Sequence, residues 1–130
     1  MSPLELYNYF SKSNSVSTDT RTLTKGDIYF ALKGDNFDGN KFAELAIKKG
    51  ASYAVVDDTS LNHPLFLTVR NCLESLQEIA KIHRSKLTKT KFIALTGSNG
   101  KTTTKELISN VLSSKFRVSS TIGNLNNHIG

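Results

Sequence analysis

Residues 94–106, ALTGSNGKTTTKE, bring two glycines, a lysine and a run of threonines into one turn. Glycines let backbone N–H groups face a phosphate, an ammonium reaches outer phosphate oxygens, and the neighbouring hydroxyl can ligate Mg²⁺. The candidate nucleotide set is therefore Gly97, Ser98, Asn99, Gly100, Lys101, Thr102 and Thr103. Within it, Lys101 and Thr102 are the groups expected to act on a transferred phosphate, and Thr102 is the metal ligand. The commonest phosphate loop, Gly-x-x-x-x-Gly-Lys-Ser/Thr, requires a glycine where Leu95 stands. That departure argues against the commonest families of the motif, not against phosphate binding. The plain alternative is a strand-to-helix turn with a solvated lysine. Gly-Lys-Thr-Thr at a helix start, just after a short apolar strand, speaks against it.

The elements that must position this loop are legible on both sides of it. KFIAL (91–95) reads as a short buried strand, and TTTKELISNVLSS as a helix with Leu107, Ile108, Val111 and Leu112 on one stripe. FRVSS reads as a further strand. Upstream, DIYFALK (27–33), YAVVD (53–57) and LFLTV (65–69) are β-rich. KFAELAIKKG places Phe42, Leu45, Ala46 and Lys49 at helical spacing, with Gly50 set to cap. Asn71, followed three residues later by Glu74, opens a helix of about 15 residues with Leu73, Leu76, Ile79, Ala80 and His83 near one face. Strands alternating with helices predict an α/β fold with mainly parallel pairing. A polar stretch, RSKLTKTK, suggests a boundary near residues 84–90. The expected organisation is a small α/β domain over 1–86, followed by the start of a parallel-sheet domain over 87–130.

Charge divides the chain in the same place. Residues 1–80 carry 8 Lys/Arg against 10 Asp/Glu, and residues 81–130 carry 9 against 1, about −2 and +8. A basic field attracts phosphates, of a nucleotide or of a nucleic acid, although a solvated basic helix end would look the same. No apolar run approaches the roughly 20 residues that cross a bilayer. The first ten residues lack the layout of a secretory signal, and the single Cys72 cannot form an internal disulfide. A cytoplasmic, folded chain is expected. His63, His83 and His128 do not have metal-site spacing, and Phe92 and Phe116, the only aromatics of the second part, read as buried. Three polar stretches allow either a turn or a ligand contact: STDTR (17–21), GDNFDGNKF (34–42) and GNLNN (123–127). In the first, Asp19 can cap local backbone or Arg21 can meet a diphosphate. In the second, Asn40 can cap the following helix.

LTGSNGKTTTKE resembles the ATP loop of the Mur ligases, Thr-Gly-Thr/Ser-Asn-Gly-Lys-Thr/Ser-Thr/Ser, with Ala94 where the family has a preceding glycine. Residues 17–58 are similar to the amino-terminal domain of that family, and TIGNLNNHIG (121–130) resembles the segment after the first central-domain helix of its D-alanyl-D-alanine-adding members. The resemblance implies a P-loop ATPase as the second domain and an amino-terminal domain that binds UDP-sugar. It implies ATP and Mg²⁺ as cofactors, and Thr18, Thr20, Arg21, Gly34, Asp38, Gly39, Asn40, Asn126 and Asn127 as substrate-side residues. Asn40 stands where the family usually has histidine. The reaction so implied is phosphorylation of the carboxylate of a UDP-N-acetylmuramoyl-tripeptide. Attack by the D-Ala-D-Ala amine on the acyl phosphate follows, in peptidoglycan synthesis. Small-molecule substrates, no nucleic acid, no membrane insertion and a monomer are expected.

The family's other catalytic elements have no counterpart before Gly130, so no ligase turnover is expected of this chain alone. The rival readings are a diaminopimelate- or lysine-adding Mur ligase, a folylpolyglutamate synthase, a module that binds only UDP-sugar, and a basic nucleic-acid-binding module. Residues 17–58 argue against the synthase, and GNLNN argues for the D-Ala-D-Ala-adding enzyme.

Overall fold

A computed structural model describes residues 1–121 of the 130-residue chain. Two compact units are present, Met1–Thr88 and Lys89–Gly130. In the first unit the elements are α1 (Pro3–Phe10), β1 (Val16–Ser17), β2 (Ile28–Phe30), β3 (Lys33–Gly34), β4 (Phe37–Asp38), α2 (Ala43–Lys48), β5 (Tyr53–Val56), β6 (Phe66–Thr68) and α3 (Cys72–Lys86). The strands β1-β2-β5-β6 form one parallel sheet in that order, and β3 and β4 pair antiparallel as a separate hairpin.

The buried strands explain the order of layers. Ile28, Tyr29 and Phe30 are all buried, as are Ala54, Val55 and Val56. Successive strand residues point to opposite faces, so β2 and β5 are covered on both sides, as parallel sheets require. Leu6 and Tyr7 of α1, Ala46 of α2, and Cys72 and Ile79 of α3 complete the same core. Both long-predicted helices have clear stops or starts. Asn71 accepts the Glu74 N–H at 3.0 Å at the head of α3. The Gly50 N–H reaches Ile47 O at 2.9 Å after α2.

Several expectations change. DIYFALK is not one strand: after Phe30 the Leu32 N–H turns back onto Phe30 O at 2.9 Å, and Lys33 and Gly34 enter the hairpin instead. The helix expected from residue 41 begins at Ala43, preceded by a 3₁₀ turn over Gly39–Phe42. Asp38, not Asn40, caps that turn, because the Asn40 amide is taken up elsewhere. The sequence reading omitted α1, although Ser2, Pro3 and Glu5 spell a full capping box with proline in the first turn. It also omitted β1, whose two residues are too few to show an alternation.

Gly39 is required by close packing. A Cβ there would lie 2.6 Å from Leu32 O, 2.7 Å from the Ala31 carbonyl carbon and 2.8 Å from Ala31 Cα. All three are backbone atoms that cannot swing aside. Gly39→Ala is expected to destabilise the first unit by about 1–3 kcal/mol, seen as a lower urea midpoint with an unchanged m-value.

In the second unit, α4 spans Lys101–Ser113. The strands expected at 91–95 and 116–120 do not form, since neither sheet among the described residues includes them. A parallel strand needs a neighbour to satisfy its N–H and C=O groups, and the described residues of this unit supply none. Leu95 is consequently 39% exposed, and Phe92 and Phe116, expected to be buried, are 52% and 60% exposed. On α4 the predicted stripe is present in spacing, but Leu107 and Val111 face solvent. Among the described residues, no helix is long and apolar enough to cross a membrane.

Candidate functional site

The loop 97–100 ends in a helix start built to leave donors free. Gly100 is the N-cap of α4, with φ +76° and ψ 0°. That left-handed conformation suits glycine, and no side chain caps the helix. The N–H groups of the first turn therefore have no intrahelical acceptor, and the partial positive charge of the helix end lies with them. The Thr104 N–H closes the first helical bond onto Gly100 O at 2.9 Å. Lys101 folds back across the loop and its Nζ donates to Gly97 O and, at 3.4 Å, to Ser98 O. A recess of about 260 Å³ is lined by Ser98, Asn99, Gly100, Lys101, Thr102 and Thr103. It has the chemistry of a polyphosphate cradle: backbone donors, one ammonium and hydroxyls. Six of the seven sequence-predicted nucleotide residues line it, and Gly97 holds the lysine.

The seven substrate-side candidates among residues 18–40 lie past the carboxyl ends of two adjacent parallel strands, where ligands of open α/β sheets gather. Past β1, Asp19 takes a fork of bonds from Arg21: Nε at 3.0 Å to each carboxylate oxygen and Nη2 at 2.6 Å to Oδ2. The Arg21 N–H also donates to Asp19 Oδ1 at 2.8 Å. Arg21 is otherwise open to solvent, with 87% side-chain exposure. Thr20 is buried and its carbonyl accepts from Lys49 Nζ at 2.7 Å, while Thr18 is half-buried. Past β2, Gly34 lies in the hairpin, and Asp38 accepts the Asn40 N–H at 3.0 Å and Asn40 Nδ2 at 2.9 Å. Asn126 and Asn127 lie outside the described residues.

The second of these loops rests on a buried phenol. The Tyr29 hydroxyl donates to Gly39 O at 3.1 Å. Burial pushes its pKa up to about 12, reinforced by the charges of Asp19, Cys72 and Asp38. Asn40, in contrast, is 4% exposed, and its amide is fully committed. Nδ2 donates to Asp38 and to Asp57 Oδ1 at 2.9 Å, and Oδ1 accepts the Asp57 N–H at 3.1 Å. What the sequence reading missed is Asp57 itself, visible only as the last residue of a strand-like YAVVD. Cys72 is also buried, its Sγ–H donating to Val55 O at 3.4 Å, and burial pushes its pKa up to about 12.

The carboxylates make the first unit acid-sensitive. Side-chain and backbone hydrogen bonds from Arg21 hold Asp19 at about 2. Asp38 is lowered by the bonds from Asn40. Burial raises Asp27 and Asp57, but hydrogen bonds outweigh it in both: Thr24 and Ser15 at Asp27, Lys33, Asn40 and the Cys72 N–H at Asp57. All four lie below the ordinary value of 3.8 when folded. Their contribution is therefore present above that value and lost as pH falls through the folded values. Urea midpoints are expected to be level from about pH 7 to 5 and to drop below about pH 4.

Comparison with known proteins agrees with this geometry. The profile described as "Mur ligase family, catalytic domain" matches residues 12–87, and that of the "Mur ligase middle domain" matches residues 95–130. The UDP-N-acetylmuramoyl-tripeptide–D-alanyl-D-alanine ligase of Bacillus subtilis is 45% identical over 122 residues, covering 90% of this chain and 26% of the relative. The Escherichia coli enzyme of that name is 40% identical over 118 residues, with the same coverage. The chain thus spans about a quarter of the length of these curated relatives. Among solved structures, MurF from Acinetobacter baumannii superposes with TM-score 0.81 at 30% identity, over 98% of this chain and 31% of that one. MurF ligase from Thermotoga maritima in complex with ADP gives 0.71 at 30% identity, over 92% and 27%. With one profile matching more than half of the chain, and a phosphate-loop geometry at the start of the second, this protein belongs to the Mur ligase family.

Proposed function

We propose that the chain is the amino-terminal part of the ligase that joins D-Ala-D-Ala to a UDP-N-acetylmuramoyl-tripeptide in peptidoglycan synthesis. In this reading residues 1–86 form the UDP-sugar-binding domain and residues 87–130 open the ATP-binding domain. The observation that carries it is the helix start at Gly100, with uncapped first-turn N–H groups and Lys101 poised over the loop. The Thermotoga relative holds ADP, which supports a nucleotide at the corresponding loop here.

The residues fit such a ligand. First-turn N–H groups and Lys101 face the phosphates, and Lys101 leaves the carbonyls of Gly97 and Ser98 for phosphate oxygens when they arrive. Among the described residues no group of three or more His, Cys, Asp or Glu could hold a metal. Of the described residues, Thr102 would be the one to hold Mg²⁺, together with phosphate oxygens. Carboxylates are poor electrophiles at neutral pH, and the phosphoryl group that ATP supplies converts one into an activated acyl donor. The chain's own contribution is position and charge neutralisation. Arg21, exposed and paired among the described residues with Asp19 in its own loop, is the group that turns to the diphosphate of the UDP-sugar, with Thr18, Thr20, Gly34, Asp38, Gly39 and Asn40 around the sugar-nucleotide. Asn126 and Asn127 serve the same substrate, and the protein works as a monomer.

The test is a titration of the chain with ATP-Mg, with UDP-N-acetylmuramoyl-tripeptide and with a DNA oligomer, each at two salt concentrations. Saturable binding of the first two is expected. Steeply salt-dependent DNA binding without nucleotide binding would replace this reading with that of a basic nucleic-acid module.

A further inference from the structure

Asp57 follows β5 directly and gathers three separate segments at the carboxyl edge of the sheet. Its Oδ1 accepts Lys33 Nζ from the hairpin at 2.8 Å and Asn40 Nδ2 from the 3₁₀ turn at 2.9 Å. Its Oδ2 accepts the Cys72 N–H, at the first turn of α3, at 3.2 Å. Its own N–H returns a bond to Asn40 Oδ1. The side chain is 11% exposed, whereas Lys33 is 49% exposed. A half-exposed lysine alone would hold little, but a carboxylate with three donors and little solvent is a rigid joint. Between its two hairpin-side partners runs Gly34–Gly39, in which exposed Phe37 stacks on Phe42 at 5.4 Å between ring centroids. Among the described residues no other salt bridge ties that stretch to the sheet.

We propose that Asp57 is a positioning residue that locks the 33–40 segment onto the sheet edge and so sets how well that segment receives the sugar-nucleotide. The second half of this statement rests on the function proposed above; the first half does not. Asp57 touches no ligand in this scheme. It acts through Lys33 and Asn40, and the helix bond from Cys72 anchors its other oxygen.

Two variants separate the role from general stability. Lys33→Met removes the exposed half of the joint and leaves Asn40 and Cys72 bonded to Asp57. Asp57→Asn keeps the shape but cannot accept from all three donors. Amide hydrogen exchange of the whole chain is expected to quicken at residues 34–40 in both variants, on the order of tenfold for Asp57→Asn. Exchange in β2 and β5 should stay unchanged in Lys33→Met. Affinity for UDP-N-acetylmuramoyl-tripeptide, by calorimetry, should fall with the same ranking, while ATP-Mg affinity holds. Unchanged exchange at 34–40 in Asp57→Asn overturns the proposal, as does equal acceleration over the entire unit in Lys33→Met. Local acceleration with unaltered sugar-nucleotide affinity overturns the link to binding. If the unaltered chain binds no sugar-nucleotide, the proposed function fails, and the exchange data still decide whether Asp57 locks the segment.

Discussion

Lys101→Met is expected to weaken ATP-Mg binding to the chain by about 100-fold, roughly 2.7 kcal/mol. Methionine matches the length of the aliphatic stem but removes the ammonium that folds over the 97–100 loop. The loss is large because a charge-assisted bond to phosphate disappears while the helix N–H groups remain. Lys101→Arg should recover part of the affinity, since charge is kept and geometry changed. Calorimetry reads both. The urea midpoint of the first unit should be the same in all three proteins, because Lys101 belongs to the second unit. An unaltered ATP affinity in Lys101→Met would remove the loop from nucleotide binding altogether.

Tyr29→Ala should be the most damaging single change of those considered in the first unit, at about 3–5 kcal/mol. The ring is 1% exposed in the middle of the sheet, so truncation leaves a cavity with no side chain free to fill it. Tyr29→Phe isolates the hydroxyl. It removes the bond to Gly39 O and is expected to cost about 0.5–1.5 kcal/mol with the core otherwise intact. The phenylalanine variant is the more informative for function, because it frees the Gly39 turn without emptying the core. Sugar-nucleotide affinity should fall in it while the m-value stays constant. If Tyr29→Phe were as stable as the parent protein, the Gly39 bond would be carrying nothing.

The parts legible in the sequence were those whose signal is local. Asn71 before Glu74 declared the head of α3, and Gly-Lys-Thr-Thr after an apolar stretch declared the loop and α4, because caps and turn residues act within a few positions. The strand 53–57 was legible because β5 is covered on both faces, which writes a continuous apolar run, and 65–69 because its residues are β-rich although only Leu67 of β6 is buried. What failed was of two kinds. KFIAL and FRVSS carry strand residues, yet pairing is a property of neighbours, and the described part of the second unit supplies none. The 33–40 segment failed differently: its capping residue, its turn and its tether are set by Asp57, seventeen positions after Asn40. No period or motif reports such a bond. The candidate site was readable as a list of residues, but the joint that arranges half of it was not.

The lone thiol has a practical side. Cys72 is the only cysteine in the 130 residues, it is 1% exposed, and burial holds its pKa at about 12. A maleimide reagent at neutral pH meets no thiolate on the folded chain. A fluorophore can thus be attached at a cysteine introduced for the purpose, for example in place of exposed Phe37 or Val111, without first mutating the native one. The same silence makes alkylation of Cys72 a clock for unfolding: label incorporated over time counts the openings of the first unit from the one position that reports only when its core comes apart.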